Sequence, residues 1–197
     1  MHKTCAIGAA VLLFTIIARA QIPTGGNVFL GYSYSQGEAF TSNRNGVLVP
    51  PLAGAGMQGW DASAEGKFLP WIGAVVDFDW HYGGHDFNPC GRSVPCGRKT
   101  FHLNASRHTV LFGPRASMSV GRYTPFAEFL LGFAHQTDSG GGISNADTTF
   151  ATAIGGGLDY KLIKGVAWRV QGDSIHTSLF GHGENDLRIS TGIVFRF

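Results

Sequence analysis

Residues 187–197, which read LRISTGIVFRF, decide the fold, because they alternate strictly between two kinds of side chain. Odd positions carry apolar or methyl-bearing residues and end on the aromatic Phe197, whereas Arg188 and Arg196 lie among the even positions. A period of two is typical of a β-strand, and about ten residues cross a bilayer when the strand is tilted. A terminal aromatic on the apolar face would lie at the membrane interface. The segment therefore predicts a membrane-spanning strand.

The first 20 residues have the pattern of a cleaved secretory signal. A basic start at His2 and Lys3 is followed by an apolar run and then by Ala18-Arg19-Ala20, the small-x-small motif that signal peptidase requires. We therefore expect cleavage between Ala20 and Gln21. The alternative is a membrane anchor, for which the apolar run is shorter than the roughly 20 residues of a spanning helix.

The composition of the chain narrows its class. Residues 21–197 are enough for one domain, and no later stretch is long and apolar enough for a spanning helix. Charged residues make up only 14% of the chain, which is few for the surface of a water-soluble protein. Aromatic residues make up 12%. A net charge of +2 gives no reason to expect nucleic acid as a partner.

Eight segments of the sequence alternate with a period of two. An even number of such segments predicts an all-β fold, an eight-stranded antiparallel up-and-down barrel over residues 21–197. Short links join segments two and three, four and five, and six and seven, while the other links are longer, which is the pattern of outer-membrane barrels. The segments lie near residues 27–35, 59–68, 72–82, 107–120, 127–133, 150–162, 166–173 and 187–197.

One face of each segment carries the charges, and this decides which face is inside. Eight strands enclose an interior wide enough only for packed side chains, where isolated charges are costly but neighbouring opposite charges are tolerable. The signs are mixed, so we expect the charges to pair in the interior, with the apolar face towards lipid and aromatic belts at both interfaces. The predicted interior charges are Asp61, Glu65, Lys67, Asp77, Asp79, Arg115, Glu128, Asp159, Lys161, Arg169, Asp173, Arg188 and Arg196.

Cys90 and Cys96 lie in a segment in which glycine and proline supply turns. In an oxidising compartment this pair predicts a disulfide within a loop. A metal or redox pair is the alternative, but the spacing is not that of the usual two-residue motifs.

The histidines of residues 21–197 all fall towards the long loops. A surface metal site is one interpretation, because histidine is the commonest metal ligand. The other is a polar rim, which we favour because no pair has the ligand spacing of a helix or a zinc knuckle. Nor is Gly155-Gly156-Gly157 a phosphate cradle, since no helix follows it, so we predict neither a metal nor a cofactor. The histidines are His81, His85, His102, His108, His135, His176 and His182.

The signal sequence, the eight alternating segments and residues 188–197 (RISTGIVFRF) resemble the small outer-membrane β-barrels of Gram-negative bacteria, the superfamily of the OmpA transmembrane domain and the opacity-type surface proteins. The resemblance covers residues 21–197. It implies a location in the outer membrane, among its lipid and lipopolysaccharide, and Phe197 looks like the signal that the barrel-assembly machinery reads. The superfamily includes adhesins, structural anchors and a few lipid-modifying enzymes, so the resemblance does not determine an activity.

His176 and Ser178, followed by Glu184, are similar to the site of outer-membrane lipid A deacylases, in which a histidine activates a serine. The asparagine that directly follows the serine in that family is replaced by Leu179. We therefore favour a monomeric, non-enzymatic barrel with no open pore, which acts structurally or binds an extracellular ligand through its loops. A deacylase and a narrow channel are the alternatives.

Overall fold

The computed structural model describes residues 25–39, 52–87, 101–140, 143–179 and 183–197. These residues form a closed barrel in which each strand pairs with its neighbours in sequence and the last strand pairs with the first. All pairings are antiparallel, so the predicted fold class is confirmed. The strands are β1 (Gly25–Ala39), β2 (Leu52–Leu69), β3 (Ile72–Phe87), β4 (Phe101–Ser117), β5 (Tyr123–Gly140), β6 (Ile143–Ile163), β7 (Val166–Thr177) and β8 (Glu184–Arg196).

Three predictions fall outside the described residues. They are the signal sequence, its cleavage between Ala20 and Gln21, and the disulfide between Cys90 and Cys96. No described segment of the chain forms a helix that is long and apolar enough to cross a membrane.

The strands extend further than the sequence predicts. They contain 12 to 21 residues, whereas about ten suffice to cross a bilayer. The excess lies towards the long loops. Beyond the exterior pair Phe133 and Phe150, the β5–β6 ladder continues for seven pairs, to Gly140 and Ile143. At about 3.4 Å per residue this hairpin projects about 24 Å past the aromatic pair.

Short turns close the other end of the barrel. The β2–β3 turn consists of Pro70 and Trp71, and the β6–β7 turn of Lys164 and Gly165. Gly165 has a φ of 80°, in the left-handed region that residues with a Cβ disfavour. By the outer-membrane pattern, this is the periplasmic end.

The exterior is covered by apolar side chains with aromatic residues near both ends. Val76 is 57% exposed near the middle of β3, between Trp71 at the periplasmic turn and Trp80 towards the long loops. Apolar surface of this kind requires an apolar solvent. In a closed barrel no strand edge is left with unsatisfied backbone groups, so lipid can be that solvent.

Candidate functional site

The lumen of the barrel contains the largest concentration of charged side chains in the described chain. Lys67 and Arg196 are half-buried, and Lys161 is exposed. Lys161 lies on the inward-facing side of β6 but at the periplasmic rim, in the last pair with β7 before the register shifts. The ten other predicted interior charges are buried: Asp61, Glu65, Asp77, Asp79, Arg115, Glu128, Asp159, Arg169, Asp173 and Arg188.

Arg188 is the centre of the largest cluster. Its Nη1 donates to Asp77 Oδ1 at 2.7 Å and to Asp79 Oδ2 at 2.6 Å, both on β3. Its Nε and Nη2 donate to Asp173 Oδ2 on β7, at 3.0 and 2.8 Å. Asp61 on β2 accepts a hydrogen bond from Gln171 Nε2 at 3.0 Å in the same layer. One guanidinium therefore joins strands on opposite sides of the lumen.

A second cluster lies nearer the periplasmic end, around Arg115. The guanidinium contacts Glu128 Oε2 at 2.6 Å and Glu65 Oε2 at 3.3 Å. Asn27 Nδ2 also donates to Glu65 Oε2, at 2.7 Å. Each buried carboxylate is thus matched by a donor from another strand, as a buried charge requires.

Asp159 organises the opposite wall at the same level. Arg169 donates two hydrogen bonds to it, at 2.6 and 3.0 Å, and Arg196 adds a third at 2.8 Å. The Phe126 ring lies between the two walls, 4.5 Å from the guanidinium carbons of both Arg115 and Arg169. The aromatic ring and the two cations fill the lumen here.

A cavity of about 200 Å³ opens below these clusters at the periplasmic end. Its lining includes Lys67, Arg115, Asp159, Arg169 and Arg196. The cavity ends where the paired side chains of the two clusters begin.

His81 lies inside the barrel, contrary to the interpretation that the histidines form a wet rim. It has no exposed surface. Its Nδ1 is 2.9 Å from Asp79 Oδ1 and its Nε2 is 2.9 Å from Ser33 Oγ. Catalytic triads have the same sequence of contacts, from an acid through a histidine to a serine. Ser33 also accepts a hydrogen bond from Ser190 at 2.9 Å and is fully buried, so a substrate has no access to it. The arrangement satisfies buried polar groups.

One buried ion pair, between Arg107 and Asp186, is not among the predicted interior charges. Arg107 also donates to Ser35 Oγ at 2.5 Å. Asp186 precedes Arg188 by two residues and therefore shares its face, but it lies one residue before the predicted segment 187–197. The signal that could have found it is the alternation, continued one step beyond the predicted strand.

Gly155 faces the lumen next to Asp173, where a side chain would not fit. A Cβ at this position would lie 1.9 Å from Asp173 Oδ1. Gly155 therefore leaves the space in which Asp173 approaches Arg188, and a larger residue would displace the carboxylate.

The residues of the deacylase-like pattern lie on the exterior. His176 and Ser178 are both exposed, and His176 Nδ1 is 2.9 Å from Asn185 Oδ1 on β8. Among the contacts of the described residues, none joins His176 to Ser178. The side chain of Glu184 lies outside the described part of the chain. The histidine and serine of the deacylase alternative are therefore not in contact with each other.

The other histidines do not converge on one point in the described chain. The His108 ring lies 4.5 Å from the Trp80 ring, and His135 Nδ1 is 2.7 Å from Thr148 Oγ1. The side chains of His85, His102 and His182 lie outside the part of the chain that the structure describes. Among the described residues, no group of three or more histidine, cysteine or acidic side chains could hold a metal ion.

No protein-family model matches the sequence, and no curated protein matches it. Among solved structures, the chain is similar to Ail, the attachment invasion locus protein of Yersinia pestis, which was solved in complex with the heparin analogue sucrose octasulfate. The TM-score is 0.56 and the sequence identity is 15%, and the match covers 88% of this chain and 98% of Ail. Neisserial surface protein A has a TM-score of 0.56 and 12% identity, covering 87% and 97%.

The outer-membrane protein OprG of Pseudomonas aeruginosa is similar with a TM-score of 0.51 and 10% identity, covering 88% of this chain and 95% of OprG. These likenesses concern the fold. The fold and the apolar exterior agree with the predicted location in the outer membrane of a Gram-negative bacterium. The chain has the fold of the small outer-membrane β-barrels, as its sequence predicts.

Proposed function

We propose that the protein is a monomeric outer-membrane barrel with a closed lumen that acts by binding extracellular ligands through its long loops. The observation that carries the proposal is the position of Arg188. It is fully buried and bonded to aspartates on two other strands. When paired side chains fill the lumen, the surface that is free to vary and to bind a ligand lies in the loops at the ends of the strands.

The closed lumen is supported by what fills it. Water-filled channels need a continuous polar path. Here the arginine clusters occupy one part of the lumen, and fully buried Leu111 and Leu130 belong to an apolar cluster in another. In planar bilayers the purified protein should give no stable conductance, with a porin reconstituted in the same way as positive control. A steady ion-selective current would favour the channel instead.

The ligand-binding proposal rests on the projecting strands and on the charge of one long loop. The β5–β6 hairpin extends well past the exterior aromatic residues, so loops at this end stand clear of the bilayer. Residues 88–100 contain three basic residues, Arg92, Arg98 and Lys99, and no acidic residue. Ail was solved with a heparin analogue. We infer that a polyanionic glycan is a suitable ligand class for this loop.

A disulfide between Cys90 and Cys96 would pre-order this loop and so lower the entropic cost of binding. Thiol reagents should label neither cysteine of the exported protein until a reductant is added. Labelling without reductant would remove the disulfide from the proposal.

Sucrose octasulfate is the probe for the glycan proposal. The folded protein in detergent should bind it, and the triple substitution Arg92→Gln, Arg98→Gln and Lys99→Gln should weaken binding at least about tenfold at low salt, because the attraction is electrostatic and screened by salt. A matched control removes three basic residues from the periplasmic end: Arg122→Gln, Lys161→Gln and Lys164→Gln. Equal effects of the two triple variants would mean that binding follows overall charge and not this loop.

A further inference from the structure

Three basic side chains form a patch at the periplasmic end, here called the turn patch: Arg122, Lys161 and Lys164. All three are exposed. The Lys161 N–H donates to the Arg122 carbonyl oxygen at 2.8 Å, which ties the β4–β5 turn to the end of β6. Lys164 lies in the β6–β7 turn that follows. The backbone therefore holds the three residues along one edge of the barrel.

Acidic residues do not offset the turn patch at the surface. In the described stretches 113–128 and 155–172, the acids are Glu128 and Asp159, and both are buried in the lumen. Each is already bonded there, to Arg115 and to Arg169 respectively. Among the side chains of these two stretches, the exposed charges are therefore all positive.

The surface beside the turn patch is aromatic and apolar. The Tyr123 and Tyr160 rings lie 5.3 Å apart, and Tyr123 is 53% exposed. Leu162 and Ile163, in the same strand as Lys161, are also exposed. A soluble anion would neutralise the charges but leave this apolar surface uncovered. A ligand with an anionic head and apolar chains would satisfy both.

We propose that the turn patch binds an anionic phospholipid of the periplasmic leaflet, with the phosphate at Arg122, Lys161 and Lys164 and the acyl chains along the exterior below the two tyrosines. The inference is independent of what the long loops bind. It gives the periplasmic end of the barrel a specific lipid neighbour, whereas the opposite end faces the outer leaflet.

Trp168 provides a local reporter for this site. It is exposed on the exterior and pairs with Tyr160 across the β6–β7 ladder. Trp71, in the β2–β3 turn, lies across the barrel and serves as the internal control. Replacing the other three tryptophans by phenylalanine leaves one reporter in each of two variants: Trp60→Phe, Trp71→Phe, Trp80→Phe for the site, and Trp60→Phe, Trp80→Phe, Trp168→Phe for the control.

Both variants are reconstituted into phosphatidylcholine vesicles, and the fluorescence quenching by brominated phosphatidylglycerol is compared with that by brominated phosphatidylcholine. At Trp168 the phosphatidylglycerol should associate at least about fivefold more strongly, since one basic residue near an anionic headgroup contributes about that factor. At Trp71 the preference should be smaller. Adding Arg122→Gln, Lys161→Gln and Lys164→Gln to the Trp168 reporter should abolish the preference.

The charge-matched variant Arg92→Gln, Arg98→Gln, Lys99→Gln should keep the preference at Trp168. Unheated gel mobility shows that each variant has folded. Equal quenching by the two lipids at Trp168, or a preference that survives neutralisation of the turn patch, would overturn the proposal. So would abolition of the preference by millimolar inorganic phosphate, because the ligand would then be a soluble anion.

Discussion

Arg188 is the shared cation of three buried aspartates. Replacing it by methionine would leave Asp77, Asp79 and Asp173 buried without their shared cation. Breaking a buried pair from one side typically costs about 3–5 kcal/mol, so we expect Arg188→Met to lower the free energy of unfolding by about that amount. Urea unfolding in phospholipid vesicles, followed by tryptophan fluorescence, measures the loss.

Arg196→Met is the matched control for this change. Arg196 is half-buried, and its partner Asp159 keeps both hydrogen bonds from Arg169. Partly exposed ion pairs are worth about 1 kcal/mol or less, so the control should be correspondingly mild. If the two variants lost equal stability, the three buried aspartates would not depend on Arg188 as their cation.

At the scale of single residues, the sequence predicted which face a side chain occupies but not which partner it meets. Parity along a strand decides the face, as Asp77 and Asp79 illustrate. Partners depend on the stagger between strands, which brings β8 against β1 and places Arg188 near β3. Alternation places His81 and Lys161 on the inward face as well. The stagger between strands decides that His81 is buried in the lumen while Lys161 is exposed at its rim.

The stability of each strand in the membrane depends on having apolar side chains on the face towards lipid and polar side chains on the face towards the lumen. Val76→Arg would place a charge on the lipid face midway along β3, where its neighbours in the ladders are Ala64 and Phe112. We expect a loss of about 2–4 kcal/mol, the range for arginine near the bilayer midplane. The same unfolding measurement in vesicles tests it.

Met118→Arg provides the comparison at the membrane edge. Met118 is 64% exposed just after β4, where a long cationic side chain can reach water. The expected cost is about 0–1 kcal/mol. A larger loss for Met118→Arg than for Val76→Arg would mean that the exterior of β3 does not face the bilayer centre.

For the strands, the sequence predicted their number and order but underestimated their length. Within the membrane, apolar and polar residues must alternate, and the pattern is strong. Beyond it neither face of a strand meets lipid, so residues 135–139 and 144–149 are mostly polar on both sides. Nothing in such a stretch distinguishes a paired strand from a loop, and the projecting hairpin could not be foreseen.

For the molecule as a whole, we propose that Phe197 acts in assembly more than in stability. Its side chain is 82% exposed, while its backbone N–H donates to the Gly26 carbonyl oxygen at 3.0 Å. Phe197→Ser keeps that backbone bond. The variant should reach the outer membrane in smaller amounts, yet refold into vesicles and show the same faster migration on unheated gels. Failure to refold in vitro would show that the ring contributes to stability instead.

The pairing of β1 with β8 governs the order of events in folding. Ser33 and Ser190 are 157 residues apart in the chain and are joined by a side-chain hydrogen bond across this seam. Contacts between such distant positions form late, because the intervening chain must first be ordered. Until the seam closes, β1 and β8 each retain an open edge. Once it closes, no strand can leave without breaking two ladders, so the finished barrel should persist through slow unfolding as much as through a favourable equilibrium.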